Sequence, residues 1–334
     1  MPVSMSLSMP VSMPKARSLL VAIAGLLLAL GAPVAAQDYP SKPVRLIIPF
    51  PPGGSNDVVG RMIALQLSDR LGKQVVVDNR GGAGGIIGTE AAANSPHDGY
   101  TLLIISIAHA VSPWLYKLQY DPIKSFAPVA ILASGPNVLV VNPELPVHSV
   151  RELIALAKQK PGELNYASAG IGSFQHLGGE LFKLTAGVDM VHVPYKGGGP
   201  AMTDVLGGYT KIMFSSLVQT SGFVRSGQLR ALGTGGSHRS SVLPEVPTIA
   251  EAGVPGYEAN NWWGVVAPAG TPPAIVEKLH NEISAVQNSP QTKEQFAAQG
   301  ADIVQMSSAE FGTFMEKEMN KWERVVKEAG IKAE

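Results

Sequence analysis

Along the chain, short apolar runs rich in Val, Ile and Leu alternate with stretches whose apolar residues recur at helical spacing. The runs predict strands at Val44–Pro49, Gln74–Asn79, Thr101–Ile105, Val138–Asn142, Leu164–Ser168, Met190–Pro194, Lys211–Ser215, Leu229–Gly233, Trp263–Ala267 and Asp302–Val304. The helical stretches predict helices at Asp57–Leu71, Gly85–Asn94, Val150–Lys158, His176–Ala186, Pro200–Leu206, Pro273–Asn288 and Ser308–Ala329. This alternation reads as α/β layers with mostly parallel sheets. Two long extended segments, Pro128 to Pro143 and Tyr257 to Pro268, interrupt the pattern. Two such crossings let the C-terminal helices return to the first domain, a clamshell on a two-strand hinge.

Three strand-to-helix junctions share a chemistry. Gly53-Gly54-Ser55-Asn56 follows the first strand, Ser168-Ala169-Gly170-Ile171-Gly172-Ser173 follows the fifth, and Tyr195-Lys196-Gly197-Gly198-Gly199 follows the sixth. Glycines at a helix start leave backbone N–H groups open to an anion, and serine caps the same turn. A tight turn with no ligand uses the same residues, so the repetition across the chain carries the signal. Lys196 adds a positive charge to the third loop, or is a solvated surface lysine. Tyr195 and Phe50 are aromatic candidates for a pocket wall, as are Trp262 and Trp263, one of which should point each way from its strand.

Composition narrows the chemistry. The 334 residues suffice for two domains, with 45% hydrophobic and only 16% charged residues. Net charge is zero, which argues against a nucleic-acid face. The absence of cysteine removes disulfides, thiolate metal sites and cysteine nucleophiles. No G-x-x-x-x-G-K-[ST], G-x-S-x-G or H-E-x-x-H pattern occurs, and Gly82 to Gly88 only loosely echoes a dinucleotide turn. His176 and Glu180 stand four apart on one helix, a spacing also met in ordinary surface pairs. No catalytic group, cofactor or metal is expected.

The first 36 residues read as a secretory signal peptide: Lys15 and Arg17, an apolar stretch from Ser18 to Leu30, then small residues at Val34-Ala35-Ala36. Its removal takes two basic residues, leaving 24 basic against 26 acidic and a net charge of −2. A periplasmic location is the expectation.

The chain also resembles the substrate-binding proteins of tripartite tricarboxylate transporters, the Bug-type receptors, from Tyr39 to Ile331. The landmarks are PFPPGG with Asp57 and Arg61, VVVDNRGGAGGIIG, DGYTLL, LNYASAGIGSFQHLGGELFK, VHVPYKGGGPAMTDVLGG, VPTIAEAGVPGYE, WWGVVAPAGTP and KWERVVKEAGI. The resemblance implies a two-domain type II periplasmic binding protein, a Venus flytrap with mixed, mostly parallel sheets and no catalytic activity. Its lobes would be residues 38–133 plus 262–334, and residues 134–261. It implies a monomer that delivers a small carboxylate to the transporter's membrane components, with presentation of the ligand to a signalling protein as the alternative. By position it implies ligand contacts at Phe50, Pro51, Gly53, Gly54 and Asp57 in one lobe, and at Ser168, Gly170, Gly172, Ser173 and His176 in the other. Tyr195, Lys196 and Ser215 complete the candidate set. Ser215 lies where the family often has an Asp-Asn pair and this chain reads Phe214-Ser215-Ser216, a change in the polarity of the pocket floor. Asp57 beside a carboxylate pocket should repel it, so a capping and loop-organising role is expected.

Overall fold

Residues 1, 3, 39–328 and 330–332 are described by the computed structural model of the chain. Apart from Met1 and Val3, the expected signal peptide lies outside the described residues. Everything below concerns the unit that begins at Lys42.

Strand β1 (Val44–Ile48) leads into α1 (Ser55–Leu71), followed by β2 (Val75–Asn79), α2 (Ile86–Ala93), β3 (Thr101–Ser106) and α3 (Ile107–Leu115). β1 lies parallel between β2 and β3. The chain next forms one strand of 16 residues, β4 (Phe126–Val141). Then come α4 (Val150–Gln159), β5 (Asn165–Ser168), α5 (Phe174–Ala186), β6 (Val191–Pro194), α6 (Gly198–Leu206), β7 (Ile212–Ser216), α7 (Leu217–Arg225) and β8 (Arg230–Thr234). Strand β9 (Asn260–Pro268) returns toward the start, and α8 (Pro273–Asn288), α9 (Pro290–Ala298), β10 (Asp302–Ile303) and α10 (Ser308–Glu328) finish the fold.

The pairings fall into two groups that share β4. Its first part, Phe126 to Pro136, runs antiparallel to β9, which also pairs antiparallel with β3. β10 takes the other edge at Ala133 and Ser134. From Asn137 onward the same strand pairs with β7 and β8, and β7 continues in parallel to β5 and β6. The extended crossings expected from the sequence are therefore sheet-forming strands that bond to each other. This is a mixed α/β architecture.

The central strands are buried from end to end, as in all of β3 and in Val138 to Val141. Helices cover both faces, so these strands read as continuous apolar runs rather than alternating ones. Three helices add to the sequence-based expectation: α3, α7 and α9. α3 and α7 start directly at a strand end, with a serine, Ser106 or Ser216, at the junction, and α3 is buried on most of its surface and holds Pro113. Trp263 faces Asn56 while Trp262 packs against Phe311 and Phe314, one ring to each side of β9. Among the described residues no helix is long and apolar enough to cross a membrane.

Candidate functional site: four helix starts around one cavity

The loop after β1 is held by Asp57. Its carboxylate accepts the Gly53 N–H at 3.0 Å, Arg61 Nε at 2.9 Å and Asn79 Nδ2 at 2.9 Å. Asn79 also donates to the Phe50 carbonyl at 3.0 Å, which fastens the loop to the end of β2. Burial pushes the Asp57 carboxyl up, but the bonds from Arg61, Gly53 and Asn79 and the Arg61 charge outweigh it and hold its pKa below the usual range. The charge of Asp57 is thus matched inside its own loop.

The loop after β5 is shaped by hydroxyl and imidazole groups. Ser168 Oγ accepts the Gly170 N–H at 3.0 Å and lies 2.6 Å from His192 Nε2. His176 Nδ1 accepts the Gly172 N–H at 3.1 Å, and Gly172 has a φ of 76° that side chains disfavour. Ser173 caps α5 by accepting the His176 N–H. The rings of His176 and His192 stack at 4.0 Å. Burial, and then the Lys183 charge, lowers the His176 pKa to about 4. Burial, helped by His176 and Lys183 against Glu180, lowers that of His192 to about 3. Both rings are neutral near neutral pH.

The third glycine loop meets the first, backbone to backbone. A Cβ on Gly199 would stand 2.1 Å from the Pro52 carbonyl oxygen, so only glycine fits there. Ser215 donates to Gln219, and Gln219 donates to the Gly198 carbonyl at 2.7 Å, holding the start of α6. The Tyr195 hydroxyl bonds to Asp204, nine residues further on, and Lys196 is exposed.

A fourth helix start joins these three. Asn56 accepts from Trp263 Nε1 at 3.1 Å and donates to Ser106, which precedes α3, while the Ile107 N–H donates to Asn261 on β9. The beginnings of α1, α3, α5 and α6 converge on one small cavity of about 20 Å³. From the starts of α1 and α3 and the loop before α1 it is lined by Phe50, Gly54, Ser55, Asn56, Ser106 and Ala108. Ala169, Ser173, Phe174, Gln175, Gly198 and Asn261 complete the wall, and no charged side chain is among them.

First-turn N–H groups have no acceptor within their own helix, and each helix start carries a partial positive charge. Four of them make a cavity with anion-binding character and no fixed cation. Of the sequence-expected residues, Phe50, Gly54 and Ser173 line it. Pro51 and Gly53 lie in the loop contact, where Pro51 meets Gly197 and Gly53 meets Gly199. Asp57, Ser168, Gly170, Gly172 and His176 shape the loops, Ser215 acts through Gln219, and Tyr195 and Lys196 do not line the cavity. Ser55 and Asn56 line it from within the first glycine loop, while Ser106, Gln175 and Asn261 line it without a sequence signal beyond their polarity. Ser106, a serine closing an apolar strand run, was the most readable of them. Among the described residues no group of three His, Asp or Glu side chains could hold a metal ion.

Residues 59–331 match the family described as the tripartite tricarboxylate transporter family receptor. The chain belongs to this family. Its receptors include proteins close to this one: BugT of Bordetella pertussis (strain Tohama I) is 42% identical over 319 residues, covering 94% of this chain and 98% of that protein. Among solved structures, R. palustris Rpa4515 with adipate is 38% identical with a TM-score of 0.85, covering 88% of this chain and 99% of that one. MatC (Rpa3494) from Rhodopseudomonas palustris with bound malate is 31% identical with a TM-score of 0.82, covering 86% and 100%. The tripartite tricarboxylate transporter receptors are solute-binding proteins of the periplasmic type, and this chain is one of them.

Proposed function

We propose that this receptor closes two lobes, residues 38–133 plus 262–334 and residues 134–261, over a small carboxylate. It then delivers the ligand to the membrane components of a tripartite tricarboxylate-type transporter. It acts in the periplasm as a monomer, exported by the signal peptide of residues 1–36, and leaves its ligand chemically unchanged. The observation that carries this is the convergence of four helix starts on a cavity without charged side chains. Such a site holds an anion through N–H and hydroxyl groups that need no reorganisation on binding. The adipate and malate in the two related structures are anions of the same class. In this reading Phe50, Gly54 and Ser173 touch the ligand. Pro51, Gly53, Asp57, Ser168, Gly170, Gly172, His176 and Ser215 set the loops, and Tyr195 and Lys196 flank them.

Thermal unfolding of the refolded, ligand-stripped protein against a panel of small carboxylates tests this. A ligand at a hundred times its dissociation constant adds about 2.7 kcal/mol, a shift of roughly 5 °C or more for a chain of this size. The shift should vanish in Gly54→Val, whose side chain would enter the approach to Gly198, 3.7 Å from a Cβ built on Gly54. A panel with no responding carboxylate would count against the reading. Loss of uptake in a deletion strain supports delivery to a transporter; intact uptake with lost induction points to the signalling alternative.

A further inference from the structure

Behind Phe50 lies a second, smaller cavity of about 10 Å³, room for one non-hydrogen group. Phe50, Ser106 and Ala108 line both cavities, so the two are neighbours across the Phe50 ring. The far wall of the smaller one carries His109, Thr89, Ser112 and Tyr120.

The hydrogens of this wall can be assigned. His109 Nε2 lies 2.7 Å from the Pro122 carbonyl, which only accepts, so Nε2 carries the proton and Nδ1 is a bare acceptor. Burial holds the pKa of this ring down to about 4, against a smaller upward pull from the Pro122 bond, so the ring stays neutral. Nδ1 is buried and has no hydrogen-bond partner, in a residue 6% exposed. Thr89 donates its hydroxyl hydrogen to the Gly85 carbonyl at 2.8 Å, and Ser112 donates to the His109 carbonyl at 3.0 Å. The Tyr120 hydroxyl stands at the same wall. The wall therefore offers one unpaired buried acceptor and no Lys or Arg. A buried acceptor left unpaired is costly, so a donor is what the wall selects.

The geometry points to this cavity as a distal subsite of the ligand pocket, taking the neutral hydroxyl end of an elongated monocarboxylate on His109 Nδ1. The carboxylate end stays at the four helix starts, so the inference rests on the receptor reading above. A second carboxylate would bring only acceptors to His109 Nδ1, itself an acceptor. The nearby Glu90 charge, which together with burial raises the Tyr120 pKa, disfavours a second anion further.

Calorimetry with acids of equal chain length tests this: an ω-hydroxy acid, the matching dicarboxylate and the plain monocarboxylate, from four to six carbons. The hydroxy acid should bind at least about tenfold tighter than the dicarboxylate, the effect of one buried hydrogen bond. His109→Phe keeps a ring against Tyr120 and Phe126, with which the imidazole packs. It should weaken the hydroxy acid about tenfold more than the monocarboxylate. Nitrogen-15 spectra of the wild-type imidazole serve if that variant does not fold: Nδ1 should respond to the hydroxy acid and not to the monocarboxylate. A preference for dicarboxylates, or an unmoved Nδ1 resonance with bound hydroxy acid, overturns the subsite while leaving the receptor intact. Binding of none of these acids, or of any other carboxylate on the panel, would remove the receptor reading itself.

Discussion

Single residues around this site act mostly on each other. Asp57 looks like a ligand contact in the sequence, yet its three bonds go to Gly53, Arg61 and Asn79. His176 and Ser168 likewise spend their polar atoms on Gly172 and Gly170. The sequence makes such residues legible as a cluster, but a hydrogen bond has one direction and one partner, and neither is written in composition. A pH dependence follows from the buried imidazoles. His109, His176 and His192 have folded pKa values of about 4, 4 and 3, depressed mainly by burial. Unfolding restores the ordinary value near 6.5. The unfolded chain therefore takes up protons that the folded one refuses. The stability from these groups is fully present above about pH 6.5 and drains away as pH falls toward 4. A fully buried ring such as His109 contributes up to about 1.4 kcal/mol per pH unit in that window. Urea unfolding between pH 7 and pH 5 should show this fall, with a shallower slope in His192→Gln; equal slopes would refute the assignment.

At the level of elements, the strands were the most legible, because fully covered strands leave long apolar runs. Helices α1, α4 and α8 were equally readable from their spacing. α3 and α7 were not: each passes from strand to helix across a serine, Ser106 or Ser216, with no glycine or proline to mark the change of period. The sequence reads Pro128 to Pro143 as one extended segment but assigns a strand only to Val138–Asn142. In the structure Gly135, Pro136 and Asn137 stay extended and mark where β4 exchanges β9 for β7 and β8. The packing of α10 onto β9 rests on a missing side chain. A Cβ on Gly264 would lie 2.2 Å from Phe311 Cζ, and Phe311 is fully buried. Gly264→Ala should therefore destabilise by about 1–3 kcal/mol through overpacking. Thermal unfolding measures it, and an unchanged midpoint would mean that α10 slides freely.

Across the molecule, the cavity brings together residues that are remote in the chain: Asn56 and Trp263 bond across 207 positions. No local pattern could have paired them, which is why the glycine loops were readable and Asn261 and Gln175 were not. A second long-range bond spans 55 positions. The Tyr116 hydroxyl donates to the Ile171 carbonyl at 3.1 Å, joining α3's end to the loop after β5. In the proposed closing of the lobes, this bond would latch the shut state. Tyr116→Phe should speed ligand release by roughly two- to tenfold, the worth of one hydrogen bond. Stopped-flow release with a responding carboxylate would measure it, and an unchanged rate would rule out the latch.

Strand β9 has one more consequence. It sits between β3 and β4, yet it is made after both of them and after β5 to β8 as well. A growing chain therefore holds the first sheet with its middle rung missing until residue 268 has been synthesised. Pairings this distant in sequence close slowly. During that delay the amino-terminal part has no finished core to collapse around. The order of synthesis thus leaves the first sheet open at its centre until β9 is made.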